Sequence, residues 1–560
     1  DTMAKCLCAG FPASLGKAAK ALKLPQQKDE AGATLINYFC KPSAAGEKKG
    51  QFREPGEHPD RWAELLAYCK QDVLTLQSID KALPDLSDDE LAFWLATWEQ
   101  NRRGVHIDVA LVKALSVMVG AGRLAIAEGL EDFDFDDLSN HRKVLKHVQA
   151  SGLDILSVAK ARVKEALALD IPESARSVLE ARQAAGKTSV SKLESLLLQV
   201  GVDNRLRHMT RAHGTTTGRD SSVGLNIQNL PRGEKMDTAL LIATAMAGDT
   251  AGFLAAAQVK GVADPLGGVV TCLRGCFSAS PGNVLHQCDW AAVEPRIGAW
   301  LVGDKAMLAA FKRIDEEGGV DIYQIEAASF YCCDPKEITG DKRQFGKVYH
   351  LQNQYESGEA SIQRAAHDMY GLELTLEQAL DCKNHWRKAH PLWVNAWHDL
   401  NTGAMTAVHC PGRVFRCGKV AWCFDGQHLR LRLPSGRIVW FPWAEIREEA
   451  TPWGVVKPML SYEYTHSKTK QWTRGTTHGG ALFNCVIQGT GACILRSAAR
   501  NLRRRGQNAV LRVHDEIVVE VPVDAGEAFS TFKATMLESP PWAEDLRLNG
   551  TGWTKDRYAK

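Results

Sequence analysis

Val510-Leu511-Arg512-Val513-His514-Asp515-Glu516-Ile517-Val518-Val519-Glu520-Val521-Pro522 is the stretch whose reading decides the fold. Two apolar runs rich in β-branched residues flank an abrupt His-Asp-Glu, and the pattern predicts a β-hairpin with acids at its tip. An ordinary tight turn would use Gly, Asn or Pro there. Alone, the tip reads equally well as half of a divalent-metal site or as exposed acids on a plain hairpin.

Composition sets outer bounds. At 560 residues the chain is too long for one core, and two to four domains are expected. Apolar residues make up 45% and charged residues 24%, as in a water-soluble globular protein. A net charge of +2 neither points to nor excludes nucleic acid, because patches of opposite sign can cancel. The fifteen cysteines are scattered and match no zinc-finger spacing, so they read as reduced thiols of a cytoplasmic protein. No signal peptide is visible. The best membrane candidate, Thr238–Ala257, contains Asp249 and reads as one soluble helix. The chain opens on Asp1 rather than Met and is read as a fragment or a processed form.

Outward from the hairpin, Lys41–Glu57 is a charged loop and Glu64–Ile79 has helical spacing. Amphipathic helices are predicted over Leu91–Arg102, Val109–Leu130 and Ser177–Val200. Strands and loops follow from Leu206 to Trp290, helices from Glu294 to about Ala404, and β hairpins over Val408–Lys470. A long helix, Leu482–Arg505, leads into the opening stretch.

Four more clusters carry chemistry. Val284–Trp290 reads as a strand ending in Asp289, followed by Glu294-Pro295-Arg296 at a helix start. Asp289 and Asp515 are far apart in the chain, so any shared site is built by the fold. Two carboxylates bridging two Mg²⁺ ions are a common apparatus for nucleotidyl transfer. Arg343, Lys347, Leu351 and Tyr355 recur every four residues and would share one helix face. Cations at one end and an aromatic at the other suit a nucleoside triphosphate. A surface helix with snorkelling cations is the plainer reading. Thr217-Gly218-Arg219-Asp220-Ser221-Ser222 with Asn226–Pro231 reads as a sugar–phosphate contact or an ordinary polar loop. Asn484 and Gln488, an i,i+4 amide pair, read as base-edge contacts or solvated amides.

In this order the clusters resemble the motifs of the family A DNA polymerases, over residues 90–560. Asp289–Arg296 is similar to motif A, Arg343–Tyr355 to motif B and His514–Glu516 to motif C. The style, with Asp289-Trp290 and an insertion near 408–478, is more similar to phage enzymes than to cellular ones. The resemblance implies an α+β right-hand polymerase, with thumb 86–204, palm 205–300 and 396–560, fingers 301–395 and a β-rich insertion at 408–478. It implies template-directed DNA synthesis in phage replication, two Mg²⁺ ions with Mn²⁺ as a substitute, and primed DNA and deoxynucleoside triphosphates as substrates. A monomer in the host cytoplasm is expected, without membrane contact and with helicase or single-strand-binding protein as replisome partners.

By the same resemblance Asp289 and Asp515 hold the metals. Arg343 and Lys347 hold the triphosphate, and Lys347 protonates the leaving pyrophosphate. Glu294 is a steric gate against the ribose 2′-OH, Tyr355 stacks at the insertion site, and Glu516 is an accessory acid. Arg219, Asn226, Gln228, Asn484, Gln488 and His514 contact the DNA. Leu351 stands where the family has Phe or Tyr, Tyr323 where many members have a triphosphate-binding His, and Glu356 where Gly is common. Residues 1–85 resemble the end of a ribonuclease H-like 3′–5′ exonuclease domain, through Tyr68-Cys69-Lys70-Gln71-Asp72. Asp72 would bind metal there and Tyr68 would orient water. The first two exonuclease motifs would lie upstream of Asp1, so proofreading is not expected. Two other readings stay open: a single-subunit RNA polymerase, and a degenerate polymerase kept as a DNA-binding replisome component.

Overall fold

The structure is a computed structural model and describes residues 1–29, 32–43, 49–130, 132–259, 261–450, 454–525 and 528–559. Its centre is an antiparallel sheet in the order Ala509–Val513, Glu516–Pro522, Asn283–Trp290, Gly550–Lys555. Ile517, Val518 and Val519 are all fully buried. Ile517, Val519 and Val521 face one core, shared with Ile487 and Ile494 of the helix Gly479–Arg504. Val518 faces the opposite core, with Leu111, Leu115 and Leu285. A strand buried on both sides has no polar face, which is why its sequence is a continuous apolar run.

A small sheet of Val105–Ile107, Arg205–Leu206 and Phe277–Ser278 ties the chain after the helix Asp88–Arg103 to this central unit. Residues 133–185 build a separate helical core around Val144, Val148, Val178 and Leu179. Helices from Val293–Val302 to Pro391–His409 form the block beside the sheet. The insertion is two meanders, one from Val414–Cys417 to Ile438–Phe441 and one of Glu445–Ala450, Val456–Thr465 and Trp472–Thr476.

Several expectations need correcting. The helix expected over Ser177–Val200 is two, Glu173–Ala185 and Ser191–Gln199, separated by a short turn after Gly186. Thr238–Ala257 is also two helices, because the Asp249 carboxylate accepts from the backbone N of Gly252 and starts the second. The helix Pro265–Cys272 lies where strands and loops were expected. The boundaries at 300/301 and 395/396 cut through the continuous helices Val293–Val302 and Pro391–His409. The latter keeps one face, Trp393, Trp397, Leu400 and Ala404, buried across the boundary. Part of the charged loop Lys41–Glu57 lies outside the described residues.

Among the described residues one helix, Val109–Ala127, is long and apolar enough to cross a membrane. Its Leu111, Val112, Leu115 and Met118 are fully buried in the core against Pro265–Cys272, Thr238–Met246 and Ser191–Gln199. It reads as a core helix.

Residues 1–85 fold as the helices Thr2–Cys8, Leu15–Ala21, Gly32–Cys40 and Pro59–Ala82. They dock on the insertion. Phe11 stacks on Trp472 at 5.6 Å, and Trp443 donates from Nε1 to the carbonyl of Ala21 at 2.7 Å.

Candidate active site

The hairpin forms as its sequence predicts. Val513 pairs with Glu516, and His514 takes the turn with φ of 52°. Asp289 lies on the adjacent strand opposite Glu516, and the backbone N of Trp290 donates to the carbonyl of Asp515 at 3.3 Å. Asp289 and Asp515 therefore sit at the same end of neighbouring strands. Glu516 is fully buried, and its charge and that of Asp289 add to the burial that pushes the Tyr558 phenol up. That position makes it a buttress behind the site rather than a wall of the cleft.

Glu294, in the first turn of Val293–Val302, is the hub. Its carboxylate accepts from Arg219 Nη2 at 3.1 Å, from the Tyr355 phenol at 2.6 Å and from Gln488 Nε2 at 3.5 Å. Arg219 Nη2 also reaches Asp515 Oδ1 at 3.4 Å. Five separate segments, carrying Arg219, Glu294, Tyr355, Gln488 and Asp515, thus converge on one hydrogen-bonded cluster. Burial raises the Asp515 carboxyl above its ordinary value; Arg219 opposes this, while the Glu294 and Asp289 charges add to it.

A cleft of about 720 Å³ opens beside this cluster. Its walls include Arg219, Asn226, Gln228, Asn484, Gln488, His514 and Asp515, which places every expected DNA-contact residue in one groove. Gln228 is partly committed to the hairpin: its amide accepts from the backbone N of His514 at 2.8 Å and donates to the carbonyl of Arg512 at 2.9 Å. Asp289 lines a second cleft of about 850 Å³, with Arg232, Lys555 and Arg557.

The motif helix runs Gly340–Asn353, so Arg343, Lys347 and Leu351 share it, whereas Tyr355 lies two residues past its end. Beyond the helix end, Glu356 turns the chain with φ of 61°. The Arg343 guanidinium is turned to Asp321, with Nε donating at 2.6 Å. Lys347 Nζ lies between the rings of Tyr323 and Tyr370, at 5.9 and 5.8 Å. Burial, with Arg232 and Arg343 nearby, holds its ammonium below the ordinary lysine value. The close approach to Tyr323 depends on Gly346, where a Cβ would fall 2.0 Å from the Tyr323 carbonyl oxygen.

A family model described as DNA polymerase family A matches residues 135–391. The DNA polymerase of Bacillus phage SP02 is 32% identical over 568 residues, covering 98% of this chain and 84% of that protein. This chain belongs to the family A DNA polymerases. DNA polymerase I of Aquifex aeolicus is 26% identical over 298 residues, covering 51% of this chain but only 42% of that protein. Among solved structures, the POL domain of Pol1 from M. smegmatis, in complex with DNA primer-template and dNTP, superposes with a TM-score of 0.58. That likeness, at 16% identity over 96% of this chain and 81% of the other, is one of fold. The chain is a DNA-directed DNA polymerase of phage type, and its family uses divalent metal.

The structure adds groups of this polymerase that sequence reasoning missed. Glu90 on Asp88–Arg103 binds Arg496 at 2.6 Å, Arg437 at 3.4 Å and His213 at 2.8 Å. Arg496 donates to the carbonyl of Gly218 at 2.9 Å and Arg437 to that of Thr217 at 2.8 Å, so this network braces the loop that carries Arg219. Arg512 and Asp220 form a buried pair at 2.9 Å that ties the same loop to the hairpin. Glu356 accepts from the backbone N of Gly480 at 2.7 Å, at the start of the helix that carries Asn484 and Gln488. Arg232, a wall of the cleft beside Asp289, is another, and it directly follows Asn229-Leu230-Pro231.

Proposed function

We propose that this polymerase extends primed DNA by two-metal nucleotidyl transfer, with Asp289 and Asp515 as ligands of two Mg²⁺ ions, for which Mn²⁺ substitutes. The chemistry of the donors fits: Asp289 and Asp515 stand at one end of neighbouring strands, where burial first and then the Glu294 and Asp289 charges raise the Asp515 carboxyl, with Arg219 as the nearby cation. Hard oxygen donors that leave room for water and phosphate oxygens suit Mg²⁺. The bound ions would supply a lowered pKa at the primer 3′-OH and neutralise charge on the departing pyrophosphate.

The residues of the chain position the reactants. The primer end lies in the groove of Arg219, Asn226, Gln228, Asn484, Gln488 and His514. Arg343 leaves Asp321 to clamp the incoming triphosphate, together with Lys347. The primer 3′ oxygen attacks the α-phosphorus in line, and the bond from that phosphorus to the pyrophosphate oxygen breaks. Lys347, whose ammonium is held below its ordinary value, gives its proton more readily to that oxygen. Glu294, fixed by Arg219, Tyr355 and Gln488, is rigid enough to exclude a 2′-OH. Tyr323 faces the triphosphate side without a charge of its own.

The convergence of four motifs on the Glu294 carboxylate carries this reading. Primer extension with competing deoxy- and ribonucleotides tests it. Glu294→Ala is expected to raise ribonucleotide incorporation by roughly tenfold or more; unchanged discrimination would refute the gate.

We infer that residues 1–85 are the end of an exonuclease domain whose Asp72 is not available to metal. Lys28 Nζ lies 2.6 Å from Asp72 Oδ2 and 2.5 Å from the Tyr68 phenol, so one ammonium pairs with both groups. Work as a monomer in the host cytoplasm, beside a helicase and single-strand-binding protein, accords with these substrates.

A further inference from the structure

Between the helices of the fingers lies a second cluster of metal-ligating groups, away from Asp289 and Asp515. Glu326 projects from Ile322–Tyr331, His350 from the motif helix, and His390 from the start of Pro391–His409. Glu326 Oε2 is 3.1 Å from His350 Nδ1 and 3.2 Å from His390 Nε2, and one donor atom from each residue lies within 4.8 Å of the others. We propose that Glu326, His350 and His390 bind a zinc ion that pins the motif helix within the fingers.

Three observations carry this. Tetrahedral zinc with bonds of about 2.0–2.1 Å spaces its ligand atoms about 3.3 Å apart, close to the two measured separations. His350 is fully buried, yet neither of its ring nitrogens makes a hydrogen bond; at 3.1 Å from Glu326, Nδ1 is badly angled for one. An unpaired buried imidazole nitrogen is costly, and a metal would satisfy Nδ1. Finally, Asp304 Oδ2 stands 3.9 Å from His390 Nδ1, on the ring side away from Glu326, and is itself held by Trp393 Nε1 at 3.1 Å. A carboxylate behind a ligating histidine is the usual outer support of a zinc site.

Two carboxylates, Glu326 and Asp304, are enclosed here beside the rings of Trp386 and Trp393. Among the described residues neither has a lysine or arginine within ion-pair distance. The cluster of Cys8, Glu90 and His213 differs, because Arg496 and Arg437 already supply its positive charge. With Glu326 and both histidines as ligands, water takes the fourth position.

The test uses the full chain, stripped with a chelator and desalted into excess Mg²⁺, which saturates the carboxylates of the polymerase site. Back-titration with zinc is expected to load one tight equivalent and raise the melting temperature. Cobalt(II) in its place is expected to give the strong visible bands of a four-coordinate site. Glu326→Gln and His350→Gln should lose both signals, while His213→Ala keeps them. Because a variant can fail to fold, circular dichroism accompanies each, and the wild-type titration stands alone. A folded wild-type chain that takes up no zinc would overturn the proposal. So would folded Glu326→Gln and His350→Gln that bind zinc as the wild type does.

Discussion

Leu351 occupies a position on the motif helix where an aliphatic side chain cannot stack on a sugar or base. Leu351→Phe and Leu351→Tyr are expected to change the ratio of dideoxy- to deoxynucleotide incorporation severalfold; identical ratios in competitive extension would discard the idea. Glu356 is better explained by the structure than by its sequence. Its left-handed backbone costs about 1 kcal/mol, which is why glycine suits the site, but its carboxylate hydrogen-bonds the first turn of Gly479–Arg504. Glu356→Ala keeps the strain and loses the bond, so it should lower stability by about 1–2 kcal/mol in denaturant unfolding. The placement of Asp289 and Asp515 at strand ends was legible because acids that break apolar runs violate the local pattern. The partner of Glu356 was illegible, because it lies more than a hundred residues downstream.

The element that depends most on remote support is the loop Thr217–Ser222. It is held by Arg437, Arg496 and Arg512, which reach it from the insertion, the long helix and the hairpin strand. Breaking the buried Arg512–Asp220 pair with Asp220→Ala is expected to cost about 3–5 kcal/mol. Glu90 organises the other two arginines. Burial alone would raise its carboxyl, but His213, Arg496 and Arg437 together bring it down to about 2. A depressed carboxyl contributes stability above its unfolded value near 4.5 and loses it as pH falls toward 2. Melting of wild type against Glu90→Gln should therefore differ clearly at pH 7 and converge near pH 2; a gap that widens in acid would contradict this network. The hairpin and the helix Gly479–Arg504 were legible from period and length. The breaks after Gly186 and at Asp249 were not, because short helices on either side of a turn can keep one apolar period. Tyr355 was misplaced onto the helix for the same reason: spacing by four carries no mark of where a helix stops.

At the scale of the whole molecule, the order of motifs along the chain made the right-hand polymerase legible, while the packing of the insertion did not. Its strands alternate clearly, but only the folded chain shows that they join residues 1–85 to the central unit through Trp443 and Trp472. Within residues 1–85 Asp72 is paired with Lys28, and this chain is expected not to degrade a mispaired 3′ end. Robust metal-dependent excision, abolished by Asp72→Ala, would contradict that expectation. The central claim is that the two strand-end carboxylates do the chemistry and the surrounding groove does the binding. Single-nucleotide extension of a primed template in Mg²⁺, with duplex affinity measured in parallel, separates the two. Asp289→Ala and Asp515→Ala should each lose extension by roughly 10²–10³-fold or more, with primer-template binding little changed. Extension close to wild type in either variant, or loss of binding that accounts for the whole defect, would contradict the account.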